Sequence, residues 1–351
     1  MASSLNNDTS MRSLRFLIWS GQEDTRWLNI YLRQTCSDLG FEAHWAEGEK
    51  TESEIEDCLD VNPTHVFAIA DDLGDFTTNI NDKHVAYHEL LYMAKHCERR
   101  GIHCTVFTCG NIYTYDDRHQ SGDPRFTGFT EEDRPNYERV ASNNTADFVF
   151  GAVSDISHTR KVLNDQCLVF RIRLPIFKED CMGNYTTYML RRCWFHVKHD
   201  MRLEFGDHRA PNVPNSYSVM HELLHAAVFL AVREVKGTFN LVNPGTMIRR
   251  DMLQILAQEM GPLLLRLELS FERDKAEGSE EPGSEWNKQD YMPDCRLSTI
   301  KLTQTLRIWD YPEIPDVKEA YRASIVRMKA AGNHFQLADD RQENILRGEH
   351  T

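Results

Sequence analysis

The sequence has no C-x-x-C pair, no apolar run near the roughly 18–20 residues that cross a bilayer, and no excess of positive charge. Each absence removes a class. Nine cysteines lie scattered at 36, 58, 97, 104, 109, 167, 181, 193 and 295, an odd count without the paired spacing of a zinc ribbon or a small disulfide scaffold. The opening stretch MASSLNNDTSMRS is polar and lacks the apolar core of a secretory signal. Residues 1–12 therefore read as a disordered arm, and the thiols as reduced, in a cytoplasmic protein. No membrane is expected as a partner. The net charge is −14, and a phosphate backbone needs a basic face, so nucleic acid is not expected either. The arginine pairs at 99–100, 191–192 and 249–250 are too short to change this and read as solvated surface. Acidity says little about small ligands.

What is present is an alternation. LRFLIWSG (14–21) is an apolar run ending on a turn residue, as a buried strand does. EDTRWLNIYLRQTCSDLG (23–40) has helical spacing at Trp27, Leu28, Tyr31, Leu32 and Cys36 and closes on Gly40. FEAHWAE (41–47) alternates as a second strand, ESEIEDCLD (52–60) is a short acidic helix, and THVFAIA (64–70) is a third strand. A long helix over 82–101 stops at Gly101, and IHCTVFTCG (102–110) is a fourth strand. Regular alternation predicts a parallel sheet with helices on both faces, a doubly wound α/β domain. After a loop at 116–143, a helix is expected over 145–163 and one strong strand over CLVFRIRLPIF (167–177).

The second half predicts a buried helix over 216–237 with a serine cap, a strand running into a turn over 238–245, and a capped helix over 246–261. The stretch 271–290 carries seven acidic residues against three basic ones and reads as an exposed insertion. The expected layout is a dinucleotide-type domain over 13–175, rejoined by 212–245. A smaller substrate-type subdomain follows from 176–211 and 246–330, with a tail at 331–351.

VMHELLHAAVF (219–229) spells H-E-x-x-H with His221, Glu222 and His225. One helical turn separates the histidines, as a zinc peptidase requires. The extended motif then wants a glycine and a third histidine, where this chain has Val228 and Ala231. Asp251 and Glu259 lie in a later helix, beyond a strand and turn. No metal is therefore expected. The two histidines read as surface residues of a helix that packs through Leu223, Leu224 and Val228.

The first strand-to-helix turn of a doubly wound domain holds dinucleotide phosphates, and it needs glycines for close backbone approach. Here it reads SGQEDTRWLN, with Gly21 alone and with Glu23 and Asp24 where phosphates would sit. Like charges about 4 Å apart cost about 1 kcal/mol in water and about 4 in a partly buried site. Gly21, Arg26 and Trp27 are the remaining candidates to contact NADP or NAD there.

Taken in order, FLIWSG…W, NPTHVFAIA, GNIYTYDD, EEDRPN, FRIRLPI, VPNSYSV, FNLVNPG and LSTIKL resemble the extended short-chain dehydrogenase/reductase superfamily. Within it they are most similar to the dTDP-4-dehydrorhamnose reductase branch and the eukaryotic 3,5-epimerase/4-reductase that makes nucleotide-linked rhamnose. The resemblance runs from about residue 14 to 330. It implies a Rossmann-like domain that binds NADPH, with a smaller C-terminal substrate subdomain, and it makes HELL (221–224) a match to a non-zinc helix. It also places the reactive positions. The glycine fingerprint falls on Glu23, Arg26 and Asn29, unless Gly21 keeps the first. The Tyr-x-x-x-Lys pair falls on Phe150 and Ser154, and Tyr137 and Lys161 have the wrong spacing to replace it. Their Ser/Thr partner falls near Cys109, with Thr108 adjacent. The epimerisation cysteine falls on Asn111, and its lysine near Tyr188. Losing general acid–base help alone costs about 10²–10⁴ in rate.

The expected function is a degenerate nucleotide-sugar epimerase/reductase that keeps the fold and binds a nucleotide-sugar, a protein partner or neither. Arg171, Arg173, Asn215 and Asn243 are its candidate substrate-side residues; their ordinary reading is structural. The alternative is an active reductase or epimerase with altered chemistry, for which Cys109 is the one nucleophile at a strand's C-terminal edge; its ordinary reading is a small buried hydrophobe.

Overall fold

In the computed structural model, the described residues are 14–20, 26–47, 51–70, 86–136, 166–178, 184–187, 189, 213–260 and 294–330. Six strands form one parallel sheet: β1 (Arg15–Ser20), β2 (Glu42–Glu47), β3 (His65–Ile69), β4 (His103–Cys109), β5 (Leu168–Ile172) and, after a two-stranded sheet, β8 (Gly237–Leu241). Their spatial order is β2-β1-β3-β4-β5-β8. The chain moves outward from β1 to β2 and then returns to the other side of β1, so the order reverses between β1 and β3. Doubly wound sheets bind ligands at such a reversal, outside the carboxyl ends of the strands.

The inner strands β1, β3, β4 and β5 are largely apolar because both faces are covered, whereas the edge strand β2 alternates. Phe16 and Ile18 pack on one face with α1 (Arg26–Asp38) and, from the second half, α4 (Met220–Val232). Leu17 and Trp19 pack on the other with α2 (Glu52–Cys58) and α3 (Ala86–Arg100). Each such side chain, fully buried, contributes about 1.5–3 kcal/mol. A capping box between Thr51 and Glu54 starts α2. Gly40 and Gly101 end α1 and α3 at φ +81° and +67°, left-handed values that a side chain resists. A smaller core gathers Leu174, Ile176, Tyr217 and Val219 against α5 (Arg249–Met260) and α7 (Val317–Ala330). The remaining helix, α6 (Ile300–Ile308), packs on the main core through Leu302 and Leu306. No helix among the described residues is long and apolar enough to cross a membrane.

Three expectations are corrected. The run 167–177 is not one strand: β5 stops at Ile172, Leu174 takes φ +42°, and β6 (Pro175–Ile176) pairs with β7 (Ser218–Val219) in a separate sheet. The break sits where the buried Arg173 must find partners beyond the sheet edge. The helix over 216–237 is shorter, and no serine caps it. Val219 precedes its first turn without a side-chain cap, and Gly237 belongs to β8. The serines are spent elsewhere. Ser216 Oγ accepts from Leu297 N–H at 2.9 Å, and Ser218 Oγ accepts from Arg173 N–H at 2.9 Å while donating to the Leu241 carbonyl. Helix α5 begins at Arg249 rather than beside Thr246, because Met247 first pairs with Asn215 in an isolated bridge. The expected arm, the helix over 145–163, the acidic stretch 271–290 and the tail lie outside the described residues.

Candidate functional site

The C-terminal edge of the sheet gathers the polar residues. Beyond β4, Gly110 passes so close to β5 that an added Cβ would stand 3.2 Å from the Ile172 carbonyl oxygen. That approach brings Asn111 to Arg173. The Arg173 guanidinium is fully buried. Its Nη1 donates to Asn111 Oδ1 at 2.7 Å, and its Nε and Nη2 donate to Asn215 Oδ1 at 3.0 and 2.6 Å. Asn215 Nδ2 donates in turn to Asp294 Oδ1 at 2.7 Å, and Asp294 is ion-paired with Arg249 at 3.0 Å. Burial works to lower the Arg249 pKa, but Tyr185 and Asp294 outweigh it and raise the value. A buried charge costs several kcal/mol unless it is paired and hydrogen-bonded. The chain Asn111–Arg173–Asn215–Asp294–Arg249 therefore clamps five separate segments together.

A second cluster lies beside it. Arg171 donates to Tyr113 Oη at 2.8 Å and to the Glu131 carbonyl at 3.2 Å. Glu131, whose carboxyl is pushed up by burial, accepts the Asn240 N–H of the edge strand β8 at 2.8 Å. Asn243 is in neither cluster. It accepts from Val219 N–H at 2.8 Å and donates to the Pro315 carbonyl at 3.2 Å, tying β7 to the segment before α7. Of the four substrate-side candidates, then, Arg173 and Asn215 touch, Arg171 is adjacent, and Asn243 is apart. Arg249 corrects the surface reading of the pair at 249–250, since its side chain is only 15% exposed and its charge is spent on Asp294. Asp294 and Tyr113 were missed. No local pattern marks them, because their partners lie tens of residues away.

At the head of β1, Ser20 ends the strand and Arg26 opens α1. Gly21 and the Arg26 side chain lie outside the described residues, as do Phe150, Ser154 and Tyr188. Trp27 is described: its ring stacks on Phe177 at 4.9 Å and 14°, and Tyr31 meets Phe177 from one turn further along, also at 4.9 Å. Ser20 Oγ, Trp27 Nε1, Tyr31 Oη and both amide atoms of Asn29 are buried with no hydrogen-bond partner among the described residues. Such atoms suit a ligand. The turn 21–25, where a dinucleotide's phosphates would lie, is outside the described residues.

The H-E-x-x-H residues form no metal centre. Glu222 is ion-paired with Arg327 at 2.7 Å, and His225 Nδ1 donates to the His221 carbonyl at 2.7 Å. Among the described residues no group of three or more potential ligands converges.

No protein-family model matches the chain. A trifunctional UDP-glucose 4,6-dehydratase/UDP-4-keto-6-deoxy-D-glucose 3,5-epimerase/UDP-4-keto-L-rhamnose-reductase of Arabidopsis thaliana is 27% identical over 265 residues, 73% of this chain and 36% of that protein. A bifunctional dTDP-4-dehydrorhamnose 3,5-epimerase/dTDP-4-dehydrorhamnose reductase of the same plant is 24% identical over 264 residues, 73% of this chain and 79% of that protein. The chain is related to the nucleotide-rhamnose epimerase/reductases. It spans about a third of the length of the trifunctional relative. The crystal structure of a UDP-rhamnose synthase from Acanthamoeba polyphaga mimivirus shares its fold, with a TM-score of 0.60 and 18% identity over 90% of this chain and 99% of that one.

Beyond β4, the Asn111 side chain is held by Arg173. The thiol two residues earlier, Cys109, ends β4 half-buried, and its Sγ accepts the Asn111 N–H at 3.3 Å.

Proposed function

We propose that this chain is a nucleotide-rhamnose epimerase/reductase scaffold without the family's standard hydride-transfer and epimerisation chemistry, which retains recognition of a nucleotide-sugar. Asn111 carries the reading. A carboxamide does not ionise near neutral pH, so it cannot serve as an acid or base, and its oxygen is already bound to a buried guanidinium 2.7 Å away. Phe150 and Ser154 at the Tyr-x-x-x-Lys positions point the same way, since neither side chain can donate or hold the proton that reduction requires. The buried network of Arg173, Asn215 and Asp294 is by contrast internally hydrogen-bonded, which supports an intact scaffold on that side.

The test is to incubate the purified protein with NADPH and UDP- or dTDP-4-keto-6-deoxyhexose, following NADPH absorbance and, separately, the melting temperature with each sugar nucleotide. The expected result is oxidation no faster than the blank, with a melting temperature raised by the sugar nucleotide. Turnover at about 1 s⁻¹ or faster, an ordinary enzyme rate, would overturn it. One observation favours a second reading, an enzyme with altered chemistry: the Cys109 thiol, with its N–H donor, at the strand edge. Under that reading Cys109→Ser abolishes whatever turnover is found.

A further inference from the structure

The cysteines are scattered in sequence, yet three of the seven free thiols among the described residues meet in one place. Cys97 lies in the last turn of α3, Cys104 at the start of β4, and Cys167 just before β5. All three are buried in the core on the α2 and α3 side of the sheet. The backbone gathers them. Gly101 turns the chain back at φ +67°, and the Ile102 N–H then donates to the Cys97 carbonyl at 2.8 Å. Cys104, two residues further on, shares the Ile102 face of the strand, under the helix turn that carries Cys97. Thr105 pairs with Leu168 across the parallel ladder, so the preceding Cys104 and Cys167 are neighbours as well. Gln166 Nε2 donates to Glu98 Oε2 at 2.8 Å and ties the same helix turn to the start of β5. The Cys104 thiol is in hydrogen-bonding contact with those of Cys167 and Cys97, and these contacts, with burial, push its pKa up.

We propose that Cys97 and Cys104 form a redox-sensitive staple, which a hydroperoxide oxidant closes into a disulfide that pins the end of α3 to β4. Direction selects Cys97 over Cys167 as the partner. Neighbouring strands lie about 4.7–4.9 Å apart with their side chains side by side, whereas a disulfide brings its Cβ atoms to about 3.5–4.5 Å. A helix residue packed on the sheet instead points its thiol at the strand beneath. Hydrogen peroxide transfers an oxygen to the Cys104 sulfur, giving a sulfenic acid, and leaves as water. The Cys97 sulfur then attacks the Cys104 sulfur, the S–O bond breaks, and the hydroxyl departs as a second water with the Cys97 proton. The thiolate is the reactive form, so thiols held protonated by burial react slowly. The staple therefore closes under sustained oxidation, after the half-buried Cys58 and Cys109 have been attacked. It sits at the opposite end of β4 from Asn111 and does not rest on cofactor or sugar binding.

The test holds the purified full chain in hydrogen peroxide without denaturant, blocks the remaining thiols under denaturing conditions, and maps tryptic peptides by mass spectrometry. Arg99 and Arg100 lie between the two cysteines, so the bridge appears as a pair of linked peptides, and fragmentation separates Cys104 from Cys109 in the second of them. The expected result is a Cys97–Cys104 link. With it comes a rise in melting temperature of about 2 °C or more, reversed by dithiothreitol. Cys104→Ala should show neither the link nor the rise. Should Cys104→Ala fail to fold, Cys97→Ala provides the same control. Absence of the link once Cys58 and Cys109 are oxidised overturns the staple. So does a bridge from Cys104 to Cys167, a link that leaves the melting temperature unchanged or lower, or the same rise in the alanine variant.

Discussion

Replacing Asn215 by leucine gives the sharpest test of the polar clamp. The two side chains are nearly isosteric, so packing changes little. What is lost is the acceptor for Arg173 Nε and Nη2, for the Cys295 N–H at 3.2 Å, and the donor to Asp294. Hydrogen bonds to a charged group are worth about 1.5–3 kcal/mol each, and stripping one partner from a buried charge costs about 3–5 kcal/mol. The expectation is a loss of about 3–5 kcal/mol against a typical total of 5–15. Urea unfolding followed by far-ultraviolet circular dichroism measures it. The double variant Arg173→Met/Asn215→Leu removes the charge as well, and it should lose less than Asn215→Leu alone. If Asn215→Leu costs under about 1 kcal/mol, or the double variant costs the sum of the two singles, the clamp is not what holds this edge together.

His65 and His103 meet at 5.5 Å with their rings tilted at 53° at the start of β3 and β4, both buried, and burial pushes their pKa values down to about 4 and about 3. The unfolded chain therefore binds more protons, and stability is lost as pH falls from about 6.5. At pH 5 the loss is about 2 kcal/mol for each histidine; a urea midpoint unchanged between pH 7 and pH 5 would count against this. Under native alkylation read by mass spectrometry, Cys58 and Cys109 should react before the buried Cys36, Cys97, Cys104, Cys167 and Cys295. Burial also pushes the Cys36 thiol up to about 12 and the Cys295 thiol up to about 11, and labelling of Cys295 as fast as Cys58 would contradict the packing. Glu222→Gln should cost about 1 kcal/mol or less, since its pair with Arg327 is part-exposed, and a chelator should leave the melting temperature unmoved. Phe150→Tyr with Ser154→Lys should not restore NADPH oxidation, because Glu23 and Asp24 still oppose the phosphates; measurable oxidation would show that the cradle is less damaged.

The sheet was legible in the sequence because its signal is local. Phe16 to Trp19, His65 to Ile69 and Leu168 to Ile172 are runs that only burial on both faces explains, and the glycines at 40 and 101 mark helix ends by their backbone alone. The failures cluster where polar side chains reach across the chain. In CLVFRIRLPIF nothing within eleven residues says that Arg173 will stop the strand, since its partners are Asn111 and Asn215, 62 and 42 positions away. SYSVMHELL reads as a serine-capped helix until one sees that Ser216 and Ser218 serve Leu297 and Arg173. Arg249 looks like surface until Asp294 takes its charge.

The same asymmetry bears on function. Composition and spacing alone leave Asn111 an ordinary loop residue; the proposed reading sets it at the epimerisation position, and in the structure its side-chain oxygen accepts from Arg173. An asparagine kept only because a cysteine had become dispensable would have no reason to sit 2.7 Å from a fully buried guanidinium. Held there, it joins the clamp, so a return to cysteine would leave Arg173 with a poorer acceptor. Asn111→Cys should therefore destabilise the protein without conferring epimerisation, and a stable, epimerising Asn111→Cys variant would refute that coupling.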